Sequence, residues 1–126
     1  MNDVVYDAAV LIAADRSDQR TWKEHKARLR VGVYPLIPAP VVAQVSRSSQ
    51  QAQLRRFLAG CIIVPLDEFD AHQAGRLLAL TNTSDVVDAV VATAAVRNKA
   101  AILTGDPGDI GRLVHAAGGE AAVVAV

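Results

Sequence analysis

Apolar residues in this chain occur in two rhythms. Short runs rich in β-branched residues recur at Val4-Val5-Tyr6, Leu36-Ile37-Pro38, Cys61 to Val64, Ala101-Ile102-Leu103 and Ala121 to Val126, each the length of a strand. Between them lie stretches with helical character. Ala8 to Ala14 is alanine-rich, and residues 18 to 31 carry Trp22, Ala27, Leu29 and Val31 among many charges, as a helix largely facing water would. Pro40 suits the first turn of a helix carrying Val41, Val42, Gln44 and Val45, which continues from Gln51 to Leu58 and stops at Gly60. Glu68 to Leu80 places Ala71, Ala74, Leu77 and Leu78 at helical spacing. Ser84 is a good N-cap for a helix from Asp85 to about Arg97, and Pro107 to His115 predicts a last short helix. Strands alternating with helices define an α/β protein. The expected architecture is a three-layer α/β/α sandwich around a five-stranded parallel sheet.

At 126 residues the chain matches one domain, spanning 1–126, and too little for two comfortable cores. Only 4% of residues are aromatic although 52% are hydrophobic, so the core must be built from Val, Ala, Leu and Ile. The longest apolar stretches fall well short of the roughly 18 residues that a membrane span needs. The acidic start Met1-Asn2-Asp3 is unlike a signal peptide, and a cytoplasmic protein with no membrane partner is expected. The single cysteine, Cys61, opens an apolar run and reads as a buried core thiol.

Formal net charge is zero but unevenly spread: residues 1 to 60 hold nine of the 13 Lys/Arg and five of the 13 Asp/Glu, leaving four and eight to residues 61 to 126. Arg16, Arg20, Lys23, Lys26, Arg28 and Arg30 concentrate in one region, with Arg47, Arg55 and Arg56 further on. They either steer nucleic-acid phosphates or form a solvated face paired with Asp15, Asp18 and Glu24. Trp22 reads as a packing anchor or a dimer contact. His25, His72 and His115 lack metal-ligand spacing and receive no role.

The acids are more informative. In an open parallel sheet, ligands bind beyond the carboxyl ends of the strands. Asp7 directly follows the first strand, and Asp106 follows the fourth in Thr104-Gly105-Asp106-Pro107-Gly108-Asp109. Asp85 and Asp88, three residues apart, share a face of a helix that is apolar nearly all round. A carboxylate in such a helix needs a cation or a proton, because burying an unpaired ion costs several kcal/mol. A divalent metal answers that need, and Mg²⁺ takes oxygen ligands beside a substrate phosphate. Asp85 has an alternative as a helix-start residue stabilised by the dipole, and Asp109 as a turn residue bonded to its own backbone.

Taken in order, Asp7-Ala-Ala-Val-Leu after a strand, Pro38-Ala-Pro-Val-Val-Ala-Gln-Val, Ser84-Asp-Val-Val-Asp-Ala-Val-Val-Ala and Leu103-Thr-Gly-Asp-Pro-Gly-Asp-Ile resemble the PIN-domain VapC toxins of bacterial type II toxin–antitoxin systems. The likeness covers almost the whole chain. Its most specific parts are the segments at Asp88 and at Thr104-Gly105-Asp106. The resemblance implies an endoribonuclease that hydrolyses RNA phosphodiester bonds with Mg²⁺ or Mn²⁺ in an acidic pocket, a small antitoxin protein that blocks the pocket, and a homodimer. By position it assigns Asp7, Asp88 and Asp106 as metal ligands and catalytic acids. Gln44 departs from the pattern, since the family usually has a glutamate there. An amide oxygen still coordinates but carries no charge and is no base at neutral pH, so Asp85 or Asp109 would have to compensate.

Two other readings compete. A catalytically weakened PIN domain would bind RNA or an antitoxin without cutting, as Gln44 suggests. A phosphoryl-accepting signalling domain also gathers acids at strand ends, but wants a lysine after the last strands, whereas Lys99 precedes the fourth.

Overall fold

The computed structural model describes residues 3–126. Met1 and Asn2, part of the acidic start, lie outside the described residues. In chain order the elements are β1 (Val4–Tyr6), α1 (Ala8–Asp15), α2 (Gln19–Arg30), β2 (Leu36–Pro38), α3 (Ala39–Val45), α4 (Ala52–Ala59), β3 (Ile62–Val64), α5 (Glu68–Thr81), α6 (Val86–Asn98), β4 (Ala101–Thr104), α7 (Pro107–Ala116) and β5 (Val123–Ala125). The five strands form one sheet in the order β3-β2-β1-β4-β5, and every pairing is parallel. Val5 pairs with Leu36 on one side and Ile102 on the other, which makes β1 the centre of the sheet.

Crossovers of one hand explain the layers. The chain moves outward from β1 to β2 and β3, then returns to lay β4 and β5 on the other side of β1, so the intervening helices fall on opposite faces. Helices α1 and α4 pack together on one face, while α5, α6 and α7 pack together on the other. This is the three-layer α/β/α sandwich expected from the alternating pattern. Helix α6 is its inner helix, burying Ala89, Val90, Val91, Ala92 and Ala95, and it touches β1, β2 and β4. Small residues there let the helix approach the sheet closely.

Four details differ from the sequence reading. The cap of α6 is Asp85, not Ser84: the Asp85 carboxylate accepts the Asp88 N–H at 3.0 Å, and a carboxylate satisfies that orphan donor with the added favour of the helix dipole. The helical stretch from Ala39 does not run on evenly into Gln51. It breaks over residues 46–51, where the Gln51 side chain accepts the N–H groups of Arg47 and Ser48 and so offers the backbone an alternative to helix. Cys61 is only part-buried, its thiol donating to the Phe57 carbonyl, and burial pushes its pKa up to about 12. Val31, placed in the helix over residues 18 to 31, is instead the C-cap that ends α2.

Trp22 is indeed a packing anchor: its indole N–H donates to the Ala14 carbonyl at 3.0 Å and its ring meets Phe57 edge-on at 5.1 Å. No single helix among the described residues is long and apolar enough to cross a membrane.

Candidate functional site

Strands β1 and β4 are neighbours from which the chain departs to opposite faces, so a crevice opens beyond their carboxyl ends. Asp7 leaves β1 there, Asp106 leaves β4 there, and the first turns of α6 and α7 bring Asp88 and Asp109 to the same end. Each acid stands at or near a helix N-terminus, where the backbone dipole favours negative charge.

Three of them converge. Carboxylate oxygens of Asp88, Asp106 and Asp109 all lie within 4.8 Å of one another. Asp7 borders this trio without being part of it, and it is 7% exposed. Its Oδ1 accepts the Ala8 N–H at 2.8 Å and its Oδ2 accepts the Thr104 hydroxyl at 2.7 Å, so both oxygens already have donors. Asp85, turned to its capping bond with Asp88 N–H, stands outside the trio as well. Gln44 is exposed on α3, and among the described residues no hydrogen bond links it to the acids. The structure therefore gathers Asp88 and Asp106 as the sequence pattern proposed, adds Asp109 to them, and leaves Asp7 beside the group.

The proximity has an electrostatic consequence. Burial, then the charges of Asp85, Asp7, Asp106 and Asp109, raise the pKa of Asp88 to about 7. Asp106 is raised chiefly by its hydrogen bond with Asp109, with desolvation and the Asp109 charge adding to it. One cation offsets this repulsion directly: Arg112, a turn further along α7, forms an ion pair with Asp109. No other ion pair reaches these acids among the described residues.

The donor set fits a hard divalent cation. It consists of carboxylate oxygens, spaced closely enough to share one ion and so crowded that Asp88 keeps a proton near neutral pH in its absence. Asp88, Asp106 and Asp109 would hold the ion, with Asp7 close enough for its charge to act on both Asp88 and Asp106.

One buried polar group escaped the sequence reading. His25 is 2% exposed, lies against the Phe57 ring with centroids 3.9 Å apart, and its Nδ1 is 2.9 Å from the Tyr6 hydroxyl. Arg28 donates to that same hydroxyl at 3.1 Å, so the phenol proton points to His25. The signal was the Trp22, His25, Leu29 stripe along one face of α2, obscured by the surrounding charges. The basic residue Arg28 thus serves packing, whereas Arg16, Lys23, Lys26 and Arg30 stay exposed on the surface.

No protein-family model matches the chain, and no curated protein matches it in sequence. Its fold is PIN-like. Among solved structures, VapBC2 from Rickettsia felis bound to a DNA fragment from their promoter matches with a TM-score of 0.75, covering 98% of each chain at 15% identity. FitAcB from Neisseria gonorrhoeae matches with a TM-score of 0.66 over 96% of each chain at 17% identity. A toxin–antitoxin complex from Klebsiella pneumoniae matches with a TM-score of 0.65, covering 85% of this chain and 89% of that one at 19% identity. The resemblance to VapC-type PIN domains read from short motifs thus extends to the fold of nearly the whole chain.

Proposed function

We propose that the protein is a divalent-metal-dependent endoribonuclease toxin of VapC type, held inactive by a small cognate antitoxin. The observation that carries this reading is the convergence of Asp88, Asp106 and Asp109 at the β1/β4 crevice, a carboxylate density that needs a cation. The neighbours of the fold, a toxin–antitoxin complex among them, support it.

A bound Mg²⁺ or Mn²⁺ would polarise a phosphodiester and favour attack by water. The chain's own residues do the rest. Thr104 and the Ala8 N–H hold the Asp7 carboxylate fixed, and Asp85 caps α6 so that Asp88 faces the crevice from a rigid helix. Asp109 would share the ion with Asp88 and Asp106, and its ion-pair partner Arg112 would then be placed to meet substrate phosphate. The exposed arginines and lysines of α2 provide a surface for RNA phosphates, as a cytoplasmic RNA-cutting toxin requires. A second copy of the chain completes the expected homodimer.

Purified antitoxin-free protein incubated with structured RNA and Mg²⁺ or Mn²⁺ should cleave, and Asp88→Asn should not. Undiminished cleavage by the variant would show that the activity belongs elsewhere. The uncharged amide of Gln44 favours one rival, a PIN domain that binds RNA or antitoxin without cutting. Mn²⁺ titration by calorimetry separates the two, because that rival predicts no measurable metal affinity.

A further inference from the structure

Thr104 ends β4 and is fully buried, yet its side chain is polar. Its hydroxyl donates to Asp7 Oδ2 at 2.7 Å and accepts the Asp106 N–H at 3.0 Å. The directions follow from chemistry: a backbone N–H can only donate, so the Thr104 oxygen accepts from Asp106 and its one hydroxyl proton is left for Asp7. A single side chain therefore ties the acid at the end of β1 to the turn after β4, across 97 residues of sequence. Valine would fill the same space in the strand, so packing does not account for the hydroxyl.

We propose that Thr104 is a positioning residue of the acidic site. Its hydroxyl sets the separation between the Asp7 carboxylate and the turn that carries Asp106 and Asp109, and through that separation it sets the affinity of the cluster for a divalent cation. The cation half of this inference rests on the nuclease reading, while the tie itself rests on geometry. With Asp7 Oδ1 held by the Ala8 N–H, the Thr104 bond is the second restraint that stops the carboxylate from rotating. Removing it leaves Asp7 Oδ2 buried without this donor and the Asp106 N–H without this acceptor.

Thr104→Val deletes the hydroxyl while keeping the β-branched shape, and Thr104→Ser keeps the hydroxyl. Calorimetry with Mn²⁺ should show binding weakened by about 10- to 100-fold in the valine variant, as loss of an orienting partner usually does, and near-native binding in the serine variant. Amide hydrogen exchange should accelerate at Asp106 in the valine variant only. A folded Thr104→Val protein with native Mn²⁺ affinity and native exchange at Asp106 overturns the proposal. Should that variant not fold, the wild type still decides. Its Thr104 hydroxyl proton should exchange slowly enough for magnetic resonance to detect it beside the Asp106 amide, and a freely exchanging hydroxyl would refute the tie. Failure of the wild type to bind Mn²⁺ would instead sink the nuclease reading and the cation half with it, leaving exchange to judge the tie.

Discussion

Asp88 lies one turn into a buried helix with four other aspartates acting on it, and its pKa near 7 governs how the metal-free protein responds to pH. In the unfolded chain the group ionises near 4, whereas the fold retains the proton until about 7. Stability from this residue is therefore full below pH 4, falls as pH rises to 7 and stays low above it. Asp88→Asn removes that loss. Thermal melting in chelator at pH 8 should show the variant more stable by about 1 kcal/mol, a modest gain because solvent screens this half-buried group, although it no longer binds Mn²⁺. His25 acts in the opposite sense. Burial, reinforced by the Arg28 charge, lowers its pKa to about 4 against 6.5 when unfolded, so its contribution is intact above pH 6.5 and lost as pH falls towards 4. Melting curves between pH 4 and 7 should therefore show an acid limb that His25→Phe flattens. Sequence singled out Asp88 because an acid in an apolar helix is conspicuous. It gave His25 no role because one histidine among charged neighbours looks solvated until its partners on β1 and α4 are known.

At the scale of elements, α6 joins the core to the site. Its N-terminus presents Asp88 and its body spans the sheet, so changes at its two ends should separate stability from function. Asp85→Ala removes the cap and should cost about 1 kcal/mol in denaturant melts while weakening Mn²⁺ binding far less than Asp88→Asn does, which distinguishes a cap from a ligand. Toward the other end, a Cβ at Gly119 would collide with Val96 Cγ1, and a valine in a helix has little rotamer freedom with which to yield. Gly119→Ala should lower stability by about 1–3 kcal/mol and leave metal binding unchanged, because the Gly119–Val96 contact lies about two helical turns beyond Asp88 along α6. Strand and helix positions were legible from periodicity, with the boundaries of β1 and β2 read to the residue. The break between α3 and α4 was not, since it depends on where the Gln51 side chain finds its hydrogen bonds, to Asp15 and the Val45 carbonyl as well as to the loop.

For the molecule as a whole, the site is a strained arrangement carried by a sound core, and a cation should repay the strain. Mn²⁺ at 100 times its dissociation constant should stabilise the protein by about 2.7 kcal/mol, and excess chelator should return the melting temperature to its starting value. A melting temperature indifferent to Mn²⁺ would mean that the acids do not form a metal centre. The order of apolar runs determined the α/β class, the parallel sheet and the presence of acids at strand ends, because periodicity and turn chemistry are local and each strand end must point to the same edge. Only the tertiary structure decided which acids meet. Carboxylates must approach within a few ångströms to share an ion, and that distance depends on the packing of α6 against α7 and on the hydrogen bonds that hold Asp7 to Thr104, none of which is local in sequence. Hence Asp109 joined Asp88 and Asp106, while Asp7 was drawn to a hydroxyl 97 residues away.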